Sequence, residues 1–384
     1  MAYFDGMNIT KDKAAQAIGI LGELDIDLWL IFVRETNMMA DPTMALVVGH
    51  AATWQSFFAF SRKGGAVALV GNLDESNYRR AEQFTEVLTY TRGVKEDLVK
   101  LLTRLDPKTI AINYSVNDVA SDGLTHGMYL LLQEYLEGTP YRERLVSSEA
   151  LVSKLRSRKL PGEIELISEA ARQTVRVWER VVPMLRVGMS EAEVAELIDR
   201  EILATGGVMS FETIVNAGDK SAPGHGAPSA ARLAPGDLLH VDFGIKLDGY
   251  CSDLQRLAYF RRPGETGAPS ELIDAFETVR EIITASGCMA RPGVKGFEVD
   301  ALAREMLRDN GYPEYQHALG HFIGRDVHDG GGILGPQWER YGTMPTQPLE
   351  VGNVTTLELE ILLPGIGCVG LEEDAAITDE GAKY

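Results

Sequence analysis

The sequence predicts an α+β protein of two domains, an N-terminal α/β layer followed by a domain with internal pseudo-symmetry. Three observations carry the prediction. Helical and extended patterns alternate over residues 1 to about 150, as layered α/β domains require. The pattern breaks at Lys154-Leu-Arg-Ser-Arg-Lys-Leu-Pro-Gly162, where Pro161-Gly162 punctuates two helical segments. Beyond the break, Arg186-Val-Gly188, Glu193-Val194, Leu197 and Gly206 recur without a gap, at one constant offset, as Arg291-Pro-Gly293, Glu298-Val299, Leu302 and Gly311. The domains are therefore placed at residues 1–155 and 160–384.

In the first domain, Lys11 to Leu24 has a helical pattern, Asp27 to Val33 an apolar extended one, Ala66 to Leu73 an extended one and Glu75 to Phe84 a helical one. Val94 to Leu105 and Leu124 to Tyr135 continue as helices, with Thr109 to Tyr114 extended between them. Gly64-Gly65 marks a turn, and neither a Walker pattern nor a dinucleotide fingerprint follows any strand. This domain is expected to support, oligomerise or rim a pocket. The basic stretch at the break is expected to be a solvated linker. In the second domain an amphipathic helix is expected over Glu163 to Leu185. Ser190 caps another, with Glu193 three residues on, and Gly206-Gly207 ends it.

Composition bounds the function. The 384 residues, 45% hydrophobic and 24% charged, suit a globular chain of two cores. With 56 acidic against 37 basic residues the formal charge is -19, which argues against nucleic acid and anionic membranes as partners. No apolar run approaches the roughly 18 residues of a membrane span, and Met1-Ala-Tyr-Phe-Asp-Gly lacks the start of a signal peptide. Cys251, Cys288 and Cys368, odd in number and without paired spacing, fit a reducing compartment. The expected location is the cytoplasm.

The chemistry concentrates after residue 210. Phe211 to Val215 has a strand pattern, and the loop Asn216 to Ser229 carries Pro223-Gly-His225. His240 to Asp253 is a β-hairpin turning at Asp248-Gly249, the residue pair of a type I′ turn. Pairing Leu247 with Tyr250 sets Asp242 opposite Gln255 and Asp253 opposite Gly244, one diagonal step apart on one face. Two such aspartates repel unless a cation lies between them. Four of the seven histidines, His225, His317, His321 and His328, lie in glycine-rich loops that let backbone approach a ligand. Near the C-terminus, Thr356-Leu-Glu358-Leu-Glu360-Ile and Leu371-Glu372-Glu373-Asp374 set acids inside apolar strands, where each needs an ion pair, a proton or a cation. Parity alone does not choose between Glu358 and Glu360. Taken singly, a strand aspartate is usually a turn or edge residue, and a loop histidine usually a structural hydrogen bonder.

Asp242, Asp253, the Gly-His-x-x-Gly at His321, Glu358 and Glu373 in this order resemble the five metal ligands of the pita-bread metallopeptidases of the creatinase and prolidase type, which include Xaa-Pro dipeptidase and aminopeptidase P. The resemblance covers about residues 160 to 380 by motif, and the preceding half is similar in size and position to the family's N-terminal domain. By motif, Thr356-Leu-Glu358-Leu resembles the family's Thr-Ile-Glu-Pro and selects Glu358. Leu371-Glu-Glu373-Asp resembles Arg-Ile-Glu-Asp and selects Glu373 over Glu372.

The resemblance implies a creatinase-like N-terminal domain, a pita-bread catalytic domain, and two divalent cations, Mn²⁺ foremost with Co²⁺ or Zn²⁺ as alternatives. Four carboxylates and an imidazole make a hard, oxygen-rich donor set whose charge balances two such ions. It further implies hydrolysis of the bond between an N-terminal residue and proline, in a dipeptide or a longer peptide, by a hydroxide bridging the metals. His225 and His328 then face the scissile carbonyl. His317 lines the pocket and Glu358 doubles as proton shuttle. The family habit implies a homodimer with a small peptide as substrate. Two departures stand out. Leu371 occupies the family's arginine position, and Glu358-Leu-Glu360 replaces Glu-Pro-Gly, so Arg325 becomes the candidate reader of a substrate carboxylate. A pita-bread hydrolase or lyase of small amides or amidines, like creatinase or ectoine hydrolase, and a catalytically silent peptide-binding module are the competing readings. Five retained ligands weigh against both.

Overall fold

In the computed structural model, which describes residues 8–220 and 226–384, the chain divides into two units, Met1–Arg156 and Ser157–Tyr384. The first unit comprises α1 (Ile9–Glu23), β1 (Leu28–Val33), β2 (Ser56–Ser61), β3 (Ala66–Gly71), α2 (Glu75–Arg80), β4 (Glu86–Tyr90), α3 (Lys95–Leu105), β5 (Ile110–Ile112), α4 (His126–Tyr135) and β6 (Leu145–Ser147), with α5 (Glu149–Ser157) at its end. The strands form a mixed sheet in the order β4-β3-β2-β1-β5-β6. All of β1 is buried. Its Trp29, Ile31 and Val33 join α1 and α5 in one core, and Leu28, Leu30 and Phe32 join α3 and α4 in another. Alternation at period two therefore reads as an unbroken apolar run, because both faces of the sheet are covered.

Three expectations change here. Ser56–Ser61 and Glu86–Tyr90 are strands that the sequence reading did not place. The helix begun at Glu75 stops at Arg80, where Ala81 turns extended. The basic stretch at the domain break is no solvated linker. It continues α5, and Arg156 and Lys159 are only 2% and 6% exposed.

The second unit holds α6 (Pro161–Val181), α7 (Glu191–Leu203), β7 (Val208–Met209), β8 (Ile214–Ala217), β9 (Leu238–Phe243), β10 (Ile245–Leu247), β11 (Tyr250–Cys251), β12 (Leu254–Tyr259), α8 (Ser270–Met289), α9 (Gly296–Asp309), β13 (Gly320–His321), β14 (Ile333–Leu334), β15 (Val354–Leu363), β16 (Gly367–Thr378) and β17 (Gly381–Lys383). Its main sheet runs β15-β16-β12-β9-β8, with β17 on β16. The repeat is structural. Helices α7 and α9 start at the repeat offset, each with a Glu three residues on that accepts from the cap backbone. Gly188 and Gly293, entering the two helices, have φ of 92° and 90°. Their N–H groups donate to Leu233 O and Leu349 O, and the cap residues bridge to Arg232 and Pro348. The spacing that relates Leu233 to Leu349 also relates Leu238, which opens β9, to Val354, which opens β15. It carries Asp242 onto Glu358. The duplicated unit thus supplies an inward carboxylate twice.

Candidate metal centre

The hairpin expected around Asp248-Gly249 forms as read, with Leu247 paired to Tyr250 and Asp242 to Gln255. Both turn residues have positive φ, 50° and 84°. The ladder is interrupted beside Gly244, where a β-carbon would lie 1.8 Å from Ser252 O, so glycine is required there. Asp253 stands in that gap, 4% exposed, its N–H donating to Asp374 Oδ2 at 3.1 Å.

Register then aligns the acids. Asp242 pairs with Gln255, Gln255 with Glu372, and Glu372 with Glu358, one residue from each of β9, β12, β16 and β15 in a single row across the sheet. Directly opposed residues have β-carbons about 4.5–5.5 Å apart. Leu357, Leu359, Ile361, Val369, Ala375 and Ile377 point the other way, into the core with α8 and α9. Glu373 shares the parity of Val369 and Ala375. It pairs with Leu357 and meets Arg256 at 3.1 Å. Glu372, and not the expected Glu373, therefore shares the face of Asp242 and Glu358, because strand alternation turns successive side chains to opposite faces. Asp253, His321 and Glu372 each offer a donor atom, all within 4.8 Å of one another.

His321 lies at the end of β13, its N–H donating to Thr356 Oγ1 at 3.2 Å and its Nε2 3.6 Å from Asp253 Oδ2. Burial would lower its pKa, yet the bond to Asp253 and the charge of Glu358 hold it above the usual histidine value. Withdrawal from water and mutual repulsion push Asp242, Glu372 and Asp374 well above the ordinary carboxylate range, and Glu358 up to about 7. Among the described residues, Asp242 Oδ1, Asp253 Oδ1 and Glu372 Oε1 are buried without a hydrogen-bond partner. Orphaned carboxylate oxygens facing one another are what a cation would satisfy, and Asp242, Asp253, His321, Glu358 and Glu372 are the donors that fit.

The remaining candidates are placed as follows. His328 is exposed, its ring 4.3 Å from that of His321 and edge-on to it. His317 is exposed on the loop before β13, its ring 5.5 Å from Tyr315. Arg325 stacks its guanidinium 5.1 Å over the Tyr250 ring at the hairpin tip, where Tyr250 Oη donates to Glu163 Oε1 at 3.1 Å. Its charge is thus engaged by the hairpin. His225 lies outside the described residues. Sequence reasoning missed Glu372, Gln255 and Asp374; the register across the turn at Pro364-Gly365-Ile366, where Leu363 pairs with Gly367, is the signal that points to Glu372.

The model of Metallopeptidase family M24 matches residues 165–379. A Bacillus subtilis (strain 168) protein provisionally named as a dipeptidase, YkvY, is 35% identical over 241 residues, 62% of this chain and 63% of its own length, so the chain spans less than two thirds of that relative. The structure of an Xaa-Pro dipeptidase from Bacillus anthracis is similar with a TM-score of 0.77 and 25% identity, covering 97% of this chain and 96% of that one. An X-Pro aminopeptidase from Thermotoga maritima MSB8 is similar with a TM-score of 0.74 and 25% identity, covering 96% of each chain.

Proposed function

The chain belongs to metallopeptidase family M24, and on that footing we propose that it is an exopeptidase releasing an N-terminal residue from a peptide with proline second. The observation that carries the reading is the row of buried and half-buried carboxylates with Asp253 and His321 beside it. The proposed ligands of two divalent cations are Asp242, Asp253, His321, Glu358 and Glu372, a donor set suited to Mn²⁺ and compatible with Co²⁺ or Zn²⁺. Bound there, such ions supply Lewis-acid polarisation of the scissile carbonyl and a water acidic enough to attack near neutral pH.

The chain's own groups do the rest. Glu358, opposite Glu372 in the row, is the carboxylate proposed to take a proton from the attacking water and deliver it to the leaving nitrogen. His328, edge-on to His321, is placed to donate to the carbonyl oxygen as negative charge gathers on it. The proline preference is supported by the two solved neighbours at 25% identity, an Xaa-Pro dipeptidase and an X-Pro aminopeptidase. Hydrolysis of Xaa-Pro dipeptides and Xaa-Pro-Yaa tripeptides, side by side with added Mn²⁺, tests the proposal and separates dipeptidase from aminopeptidase. Cleavage of neither, with metal content verified, would favour the small-amide hydrolase instead.

A further inference from the structure

Beside the row of carboxylates, and joined to it through Gln255, buried side chains form a hydrogen-bond chain with a single direction. Asn216 Nδ2 lies 3.3 Å from His240 Nδ1, and His240 Nε2 lies 3.0 Å from Gln255 Oε1. Gln255 Nε2 donates to Glu372 Oε2 at 3.0 Å and to Glu358 Oε2 at 3.4 Å. The Gln255 NH₂ group faces two carboxylates, so Oε1 is left to accept from His240, the ring proton sits on Nε2, and Nδ1 accepts from Asn216. Gln255 must then turn its oxygen to His240 and its NH₂ group to the two glutamates. The flipped amide would set a carbonyl oxygen against two carboxylates and its NH₂ against the His240 N–H. Asn216, His240 and Gln255 are 4%, 1% and 2% exposed, so a broken link is not replaced by water.

Gly370 makes room for this chain. A β-carbon there would lie 2.5 Å from Gln255 Oε1 and 2.5 Å from His240 Nε2, at the two atoms of the bond. His240 also approaches Glu360, at 3.8 Å, and with Cys368 the three offer donor atoms within 4.8 Å of one another. Both ring nitrogens of His240 are already committed, to Asn216 and to Gln255. His240 is therefore not available to that trio as a cation ligand.

We infer that Asn216, His240 and Gln255 are positioning residues, one amide group pinning an oxygen of both Glu358 and Glu372 so that the opposite oxygen of each is presented to a cation. The partnerless Oε1 of Glu372 is the oxygen so presented. This rests on the metal-binding reading above and adds the device that orients its ligands.

The test uses the metal-stripped full chain titrated with MnCl₂ by calorimetry. Gln255→Met removes the donors at similar length, His240→Leu removes the relay, and Gly370→Ala crowds the bond while leaving both partners in place. Each folded variant is expected to bind Mn²⁺ about 10- to 100-fold more weakly, as loss of a group supporting a metal ligand does. The double variant His240→Leu/Gly370→Ala is expected to be no weaker than His240→Leu alone, since both cut one link. Independently, ¹⁵N-histidine spectra of the wild type should show His240 protonated at Nε2, assigned through its backbone connectivities. A folded Gln255→Met that binds Mn²⁺ as the wild type does, or a His240 proton on Nδ1, overturns the inference. Should every variant misfold, the tautomer still decides it. A wild type that binds Mn²⁺, weakens on Gln255→Met and yet leaves Xaa-Pro peptides intact defeats the peptidase reading alone.

Discussion

Glu358 and Glu372 stand directly opposite each other across the β15–β16 ladder, while the adjacent Glu373 faces Leu357 and turns to the other side of the sheet. The two neighbouring acids therefore have separable consequences. Glu372→Gln is expected to lower the Mn²⁺ content of the purified protein and to abolish hydrolysis. Glu373→Gln should leave metal content intact and cost at most about 1 kcal/mol of stability, because its pair with Arg256 is partly exposed. Metal analysis and urea unfolding of both variants check this. A Glu373→Gln protein that loses metal while Glu372→Gln keeps it would restore the motif-based assignment.

Asp253 sits in the gap of the hairpin, with its backbone N–H held by Asp374 and Oδ1 without a partner among the described residues. Asp253→Asn keeps the shape and removes the charge that faces His321. Metal stoichiometry is expected to fall and the protein to remain folded. Unchanged stoichiometry with full activity would remove Asp253 from the ligand set.

Much of this centre is legible in local sequence, and what is not has a physical reason. The Asp248-Gly249 turn requires two positive φ values, and that requirement sets Asp242 against Gln255 without any tertiary knowledge. The repeat is equally local, since its glycines and capping glutamates sit at the ends of helices that recur at one spacing. Glu372 was within reach by the same method. Pairing Leu363 with Gly367 across Pro364-Gly365-Ile366 sets Glu358 against Glu372, whereas the four-residue motif match at Glu373 lies one position along and so on the other face of the sheet. Gln255 between three carboxylates, and the burial of Lys159, depend on strands and loops far apart in sequence. No local pattern carries them.

The acids also set a pH dependence for the metal-free protein. Glu358 is raised from 4.5 to about 7, and Asp242, Glu372, Asp374 and His321 are raised as well. In that window the folded chain binds more protons than the unfolded one, so stability falls as pH rises, by roughly 3 kcal/mol for Glu358 alone. Thermal unfolding of stripped protein should thus show a lower midpoint at about pH 7.5 than at about pH 5. Added Mn²⁺ is expected to reverse the order, because cations compete with the protons these carboxylates hold. A metal-free midpoint that climbs across this range would contradict the burial of the cluster.

The loop that follows His321 is tied down from below. Lys159 Nζ meets Asp329 Oδ2 at 2.6 Å with both side chains nearly inaccessible, 1% and 4% exposed. Asp329 Oδ1 also accepts from the Asp326 N–H at 3.2 Å, and the Asp329 N–H donates to Phe322 O at 2.9 Å, which closes the segment carrying His328. Removing one charge strands the other, so Lys159→Met should destabilise the chain by about 3–5 kcal/mol, whereas Lys159→Met with Asp329→Leu should recover a good part of that loss. Denaturant titration of both variants measures the difference. In the double variant the loop has lost its electrostatic anchor but not its packing, so kcat is expected to fall more than metal affinity does, since His321 is separately held through Thr356. Equal losses of kcat and metal affinity would show instead that the ion pair holds the His321 strand itself in place.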